Sequence, residues 1–87
     1  MLHTELILKS EKGLDAGFAA KLADAMSGFS SRILIEKNNK KVNAKSVMGI
    51  LSLAVKKDEP VRFIIMGEDE QEALKALSSL AEGGFIS

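Results

Sequence analysis

The sequence predicts an α+β protein. The expected architecture is an open-faced β-sandwich of order βαββαβα, in which a four-stranded, mainly antiparallel sheet carries three helices on one face. Three observations predict it. Short β-rich runs alternate with segments whose apolar residues recur at i, i+3 and i+4. Asn38-Asn39 sits between two β-rich runs as a tight-turn signal, making them a hairpin. The links are short, which suits helices gathered on one side of a sheet whose other side meets water.

Thr4 to Leu8 reads as the first strand, with Leu6 and Leu8 on one face. Ser10 to Gly13 is a polar break, after which Asp15 can cap a helix running through Ala16, Phe18, Ala19, Leu22, Ala23 and Met26. Gly28 is placed as its C′ residue. Arg32 to Glu36 and Lys40 to Asn43 form the hairpin around Asn38-Asn39. Ser46 opens a short second helix, and Lys56 to Pro60 is a charged loop. Val61 to Met66 is an apolar run of strand length, broken by Gly67. Asp69 starts the last helix, whose acidic N-terminal end suits the dipole, and Gly83-Gly84 stops it. Its apolar positions are Ala73, Leu74, Leu77, Leu80 and Ala81.

Residues 1–87 fit one domain with one core, and 46% apolar composition with few aromatics points to a core of Ala, Leu, Ile and Val. The absence of cysteine excludes a disulfide framework, a thiolate metal site and a thiol catalyst. Twelve basic residues balance twelve acidic ones, which argues against sequence-independent binding of nucleic acid. No run approaches the ~18–20 apolar residues of a membrane span. No basic, then apolar, leader opens the chain. The expectation is a soluble cytoplasmic protein without metal or other cofactor.

Three groups of residues are candidates for chemistry. Ser46 is a good N-cap for a helix with two apolar sets: Ile50, Leu53 and Ala54 suit a core, while Val47, Met48 and Leu51 are displaced around the helix. On spacing alone this is an ordinary capped amphipathic helix. Its surplus face also suits docking, and a phosphate on Ser46 would place strong negative charge beside that face. Asp15 reads as a cap for the first helix, although a carboxylate can in principle act as a nucleophile. Gly17 is out of place inside a helix, where it costs roughly 1 kcal/mol against Ala. His3, the single histidine, reads as a surface residue, and Glu68, Asp69, Glu70 and Glu72 as a solvated helix start.

The run Val42-Asn43-Ala44-Lys45-Ser46-Val47-Met48-Gly49-Ile50-Leu51-Ser52-Leu53-Ala54 closely resembles the regulatory-serine region of the HPr family, phosphocarriers of the bacterial phosphoenolpyruvate-dependent sugar phosphotransferase system. Gly67 to Leu74 resembles the start of the last HPr helix, and Gly13-Leu14, Ala16 and Ala19-Ala20 align with its active-site loop and first helix. The resemblance covers essentially the whole chain. It implies that Ser46 is a phosphorylation site for HPr kinase/phosphorylase, with Lys45, Val47, Met48, Leu51, Phe18 and Ala20 contacting partners. The family's active-site motif reads Gly-Leu-His-Ala-Arg-Pro-Ala, where this chain has Gly13-Leu14-Asp15-Ala16-Gly17-Phe18-Ala19. Asp15 stands at the phosphate-accepting histidine, Gly17 at the arginine and Phe18 at the proline.

The resemblance is therefore to Crh-like members, which lack the histidine and keep the serine. It implies a non-enzymatic regulator of carbon catabolite control, not competent as a phosphohistidine carrier. Its further implied partner is a catabolite-control transcription regulator, with loss of the arginine at position 17 weighing against that contact. The alternative is a phosphocarrier with an altered active site. A monomer is expected, with a strand-swapped dimer, as in the Crh branch, as the alternative.

Overall fold

The computed structural model describes residues 1–84 and carries the elements β1 (Leu2–Ile7), α1 (Ala16–Ser27), β2 (Arg32–Lys37), β3 (Lys40–Asn43), α2 (Val47–Ser52), β4 (Pro60–Met66) and α3 (Glu70–Gly84). The four strands form one sheet in the order β1-β4-β2-β3, and every neighbouring pair is antiparallel. The three helices lie on one face of it, so the expected open-faced sandwich is the observed fold.

Alternation along the strands divides the two faces. Leu6 of β1, Ile33 and Ile35 of β2, and Val61, Phe63 and Ile65 of β4 point into the core shared with the helices. Helix α1 contributes Ala19, Leu22, Ala23 and Met26 at helical spacing, α2 contributes Ile50, and α3 contributes Ala73, Leu77 and Ala81. Phe63, Leu22, Met26, Ile50 and Leu77 are wholly buried. Burial of each such side chain stabilises the fold by about 1.5–3 kcal/mol. The β2–β3 hairpin turns through Asn38 (φ 51°) and Asn39 (φ 67°). Both lie in the left-handed region that a two-residue primed turn needs, and asparagine tolerates it.

Several boundaries differ from the sequence expectation. Strand β1 runs Leu2–Ile7 rather than Thr4 to Leu8, because its pairing with β4 begins at Leu2↔Ile65 and ends at Ile7↔Pro60. Leu8 lies just past the strand end and is still fully buried. Pro60 belongs to β4, not to the preceding loop. Gly28 caps α1 in a right-handed conformation (φ −73°), so it does not use glycine's freedom there. Ala54 is exposed rather than in the core, because the chain turns to φ 51° after α2. Helix α3 continues through Gly83 and Gly84 instead of stopping before them.

Asp69 does not cap α3 with its side chain. Its carboxylate reaches across to the start of β2, accepting from the Ser30 and Ser31 N–H groups at 2.8 and 2.9 Å and from the Ser31 hydroxyl. Glu70 does the local work, accepting from the Gly67 N–H at 3.1 Å. The Ser31 hydroxyl, followed by the backbone donors, lowers the Asp69 pKa from 3.8 to about 2. A carboxyl lowered on folding stabilises the native state above its unfolded pKa, and that contribution disappears as pH falls through the folded value. Stability should therefore drop between about pH 4 and pH 2. Urea midpoints measured across that window should fall more steeply for the parent than for Asp69→Asn.

Candidate functional site

Helices α1 and α2 pack side by side on the sheet, and their N-terminal ends carry Asp15 and Ser46. The loop entering α1 is fixed from below. Gly13 sits at φ 70°, where a Cβ would lie 2.7 Å from the Val55 carbonyl oxygen. The next residue, Leu14, is buried and donates its N–H to that same carbonyl at 2.9 Å. Position 15 is thus held at the surface on an extended backbone (φ −87°, ψ 178°). The exposed Asp15 carboxylate accepts from the Phe18 N–H at 3.0 Å and caps the helix. Gly17 is exposed, and a Cβ there would meet only the Asp15 Oδ1, at 3.6 Å. Phe18 lies half-buried against the core, and Ala20 is exposed.

Ser46 has the expected cap geometry. Its Oγ accepts from the Gly49 N–H at 3.0 Å, and its carbonyl accepts from the Ile50 N–H at 3.0 Å. Sequence reasoning passed over Gly49, which completes this site. A Cβ there would stand 3.3 Å from the Ser46 Oγ and 3.4 Å from the Val42 Cβ. A side chain at 49 would crowd the hydroxyl, so glycine keeps the approach to Ser46 open. The visible signal was a glycine three residues after a cap, inside a helix where it has no conformational use.

Beyond the serine, Val47 and Met48 are exposed, Met48 at 78%. These are unusual values for large apolar side chains on a small domain. Leu51 is half-buried against the core, so it links the exposed pair to the interior. Lys45 is held differently: its Nζ donates to the Phe29 carbonyl at 2.6 Å, and its N–H to the Asn43 Oδ1 at 2.9 Å. It ties the segment before α2 to the end of α1. The C-terminal end of α2 is held by two more lysines, Lys37 on the Ala54 carbonyl at 2.9 Å and Lys40 on the Ser52 carbonyl at 3.4 Å. These cations suit the negative end of a helix. His3 lies on the edge strand β1, away from both helix ends.

Among the described residues no group of three or more His, Cys, Asp or Glu side chains could hold a metal ion, and no helix is long and apolar enough to cross a membrane. What the two helix ends present is a half-buried serine whose hydroxyl caps its helix beside an exposed apolar pair, on a small open-faced sandwich. That defines the class by its architecture: a small open-faced α+β sandwich with a serine-capped helix beside an exposed apolar pair. A family model described as "PTS HPr component phosphorylation site" matches residues 2–83, and the chain belongs to the HPr family. It is 44% identical over 85 residues to the phosphocarrier protein HPr of Xylella fastidiosa, covering 98% of this chain and 96% of that protein. It is 43% identical over 82 residues to the HPr-like protein Crh of Halalkalibacterium halodurans, covering 94% of this chain and 98% of that one. The crystal structure of HPr-C-His from Thermoanaerobacter tengcongensis superposes with a TM-score of 0.90 at 47% identity, covering 95% of this chain and 93% of that one. Proteins of this family are phosphocarriers rather than catalytic enzymes.

Proposed function

We propose that this chain is a Crh-like regulatory member of the HPr family in bacterial carbon catabolite control, phosphorylated on Ser46 by HPr kinase and not competent as a phosphohistidine carrier. The observation that carries the reading is the state of position 15. A phosphohistidine relay needs an imidazole nitrogen there, and this chain has a carboxylate already engaged as a helix cap. The neighbouring change is matched to it. Proline at position 18, as in the family motif, has no N–H to give, whereas Phe18 supplies the N–H that Asp15 accepts. The arginine that would help hold a phosphoryl group is Gly17.

Ser46, by contrast, is half-buried with its cap intact. Phosphorylation adds about −1.5 to −2 of charge and three acceptor oxygens beside Val47 and Met48, converting an apolar docking face into a charged one. In this reading Phe18, Ala20, Lys45 and Leu51 flank the docking surface. HPr kinase/phosphorylase and a catabolite-control transcription regulator are the partners, the missing arginine at 17 weakening the second. The protein acts in the cytoplasm as a single domain, without a cofactor.

Two incubations test this. With HPr kinase and ATP the parent should be labelled, and Ser46→Ala should lose all labelling while unfolding with a stability only about 1 kcal/mol lower, the worth of a lost cap. With enzyme I and phosphoenolpyruvate the parent should remain unlabelled. Label at residue 15 in the second incubation would favour the altered phosphocarrier instead, and label in neither would remove the regulatory reading.

A further inference from the structure

We propose that the open face of the sheet is self-complementary, and that two copies of the chain stack through it about a two-fold axis parallel to the strands. The residues on this face are those that alternate with the core residues. Strand register places Glu5 opposite Arg62, Arg62 opposite Glu36, and Glu36 opposite Lys41. One row thus crosses all four strands with the signs −, +, −, +. Read from its other end, the row has every sign inverted.

A two-fold axis lying between the stacked sheets, along the line separating β4 from β2, performs that reversal. It sets β1 over the second copy's β3 and β4 over its β2. Glu5 then faces the second copy's Lys41, and Arg62 faces its Glu36. In the adjoining row, His3, Ile64, Leu34 and Asn43, the same operation brings Ile64 over Leu34 at the centre. Isologous contacts of this kind close after two copies.

The charges inside the chain favour this occupant over a partner of one sign. Arg62 already donates from Nε and Nη2 to the Glu36 Oε1 at 2.9 and 2.7 Å, so covering that pair strands no charge. Glu5 and Lys41 make no ion pair among the described residues, and they are the two groups a second copy would neutralise. Four strands spaced about 4.8 Å apart make a small face, so the association belongs to the weak, concentration-dependent class.

Sedimentation equilibrium at low salt, loading the full chain up to about 1 mM, reads the outcome. The parent's average mass should rise with concentration and fall back as salt screens the charges. Glu5→Lys and Lys41→Glu should each remain monomeric alone, because each sets like charges across the interface. An equimolar mixture of the two should associate again, because every cross-interface pair is then of opposite sign. Both positions are exposed, and circular dichroism will show that the variants are folded. A parent that stays monomeric throughout, a mixture that stays monomeric, or single variants that associate as the parent does would each overturn the proposal. The last result would point instead to a dimer formed by exchange of β1.

Discussion

Replacing Gly67 by alanine should cost about 4 kcal/mol of stability, the largest single-atom effect expected in this molecule. Gly67 lies at φ 152°, outside the range that side-chain-bearing residues normally adopt. A Cβ there would stand 2.5 Å from the Ser31 Oγ, 2.7 Å from its Cα and 2.9 Å from its Cβ. Ser31 has no freedom to retreat, because Asp69 fastens both its N–H and its hydroxyl. Backbone strain of about 1–3 kcal/mol therefore adds to an overpacking cost of about 1–3 kcal/mol. A domain of this size has only about 4–13 kcal/mol in total. In urea the midpoint should fall sharply with an unchanged slope, since the surface exposed on unfolding is the same. Gly17→Ala is the matched control: exposed, helical and sterically open, it should be neutral or stabilise by up to about 1 kcal/mol. A Gly67→Ala protein as stable as the parent would contradict the close packing of the β4 end on Ser31.

On the proposed reading, the combined substitution Asp15→His with Gly17→Arg should give a chain that takes phosphate from enzyme I and phosphoenolpyruvate, where the parent should take none. The scaffold for this change is in place. Position 15 is exposed on an extended backbone that any residue adopts, and it is held there by the Leu14 bond to Val55 rather than by its own side chain. A Cβ at 17 would have the Asp15 Oδ1 as its near neighbour, at 3.6 Å, and the first substitution removes that atom. Phe18 can stay, because it packs on the core. Loss of the Asp15 cap should lower stability by about 1 kcal/mol, which the fold can absorb. Acid-labile phosphate on the double variant, absent from the parent, is the expected result. No label on a folded double variant would mean that the carrier function was lost through more than these two side chains.

The value of such variants rests on how unevenly the chain announces its own structure. Helix α1 was legible because its core positions Ala19, Leu22, Ala23 and Met26 all follow one period, and the hairpin because Asn38-Asn39 has few other uses. The Ser46 cap was legible because capping is local, reaching only three residues to Gly49. The role of Asp69, read as part of a solvated helix start, was illegible for the converse reason. An acidic residue before a helix is the usual sign of a cap, yet its carboxylate bonds residues 38 and 39 positions away in the chain. Ala54 misled because helical spacing continues on paper past the point where the backbone turns to φ 51°. The contact of Lys45 with Phe29 was illegible because it spans an interval that no periodicity reports.

The order of elements, the apolar stripe of each helix and the caps at Asp15 and Ser46 could be read from the chain, since each depends on spacing within a few residues, and the changed carrier motif was read from the resemblance to the HPr family. Long-range packing was needed to show that Asp69 braces β2, that Gly67 is pinned by Ser31, and that Glu5, Arg62, Glu36 and Lys41 form one row of alternating sign. Those depend on which strands become neighbours and in what register. Burial of the shared core sets that register, and no local pattern in the chain encodes it.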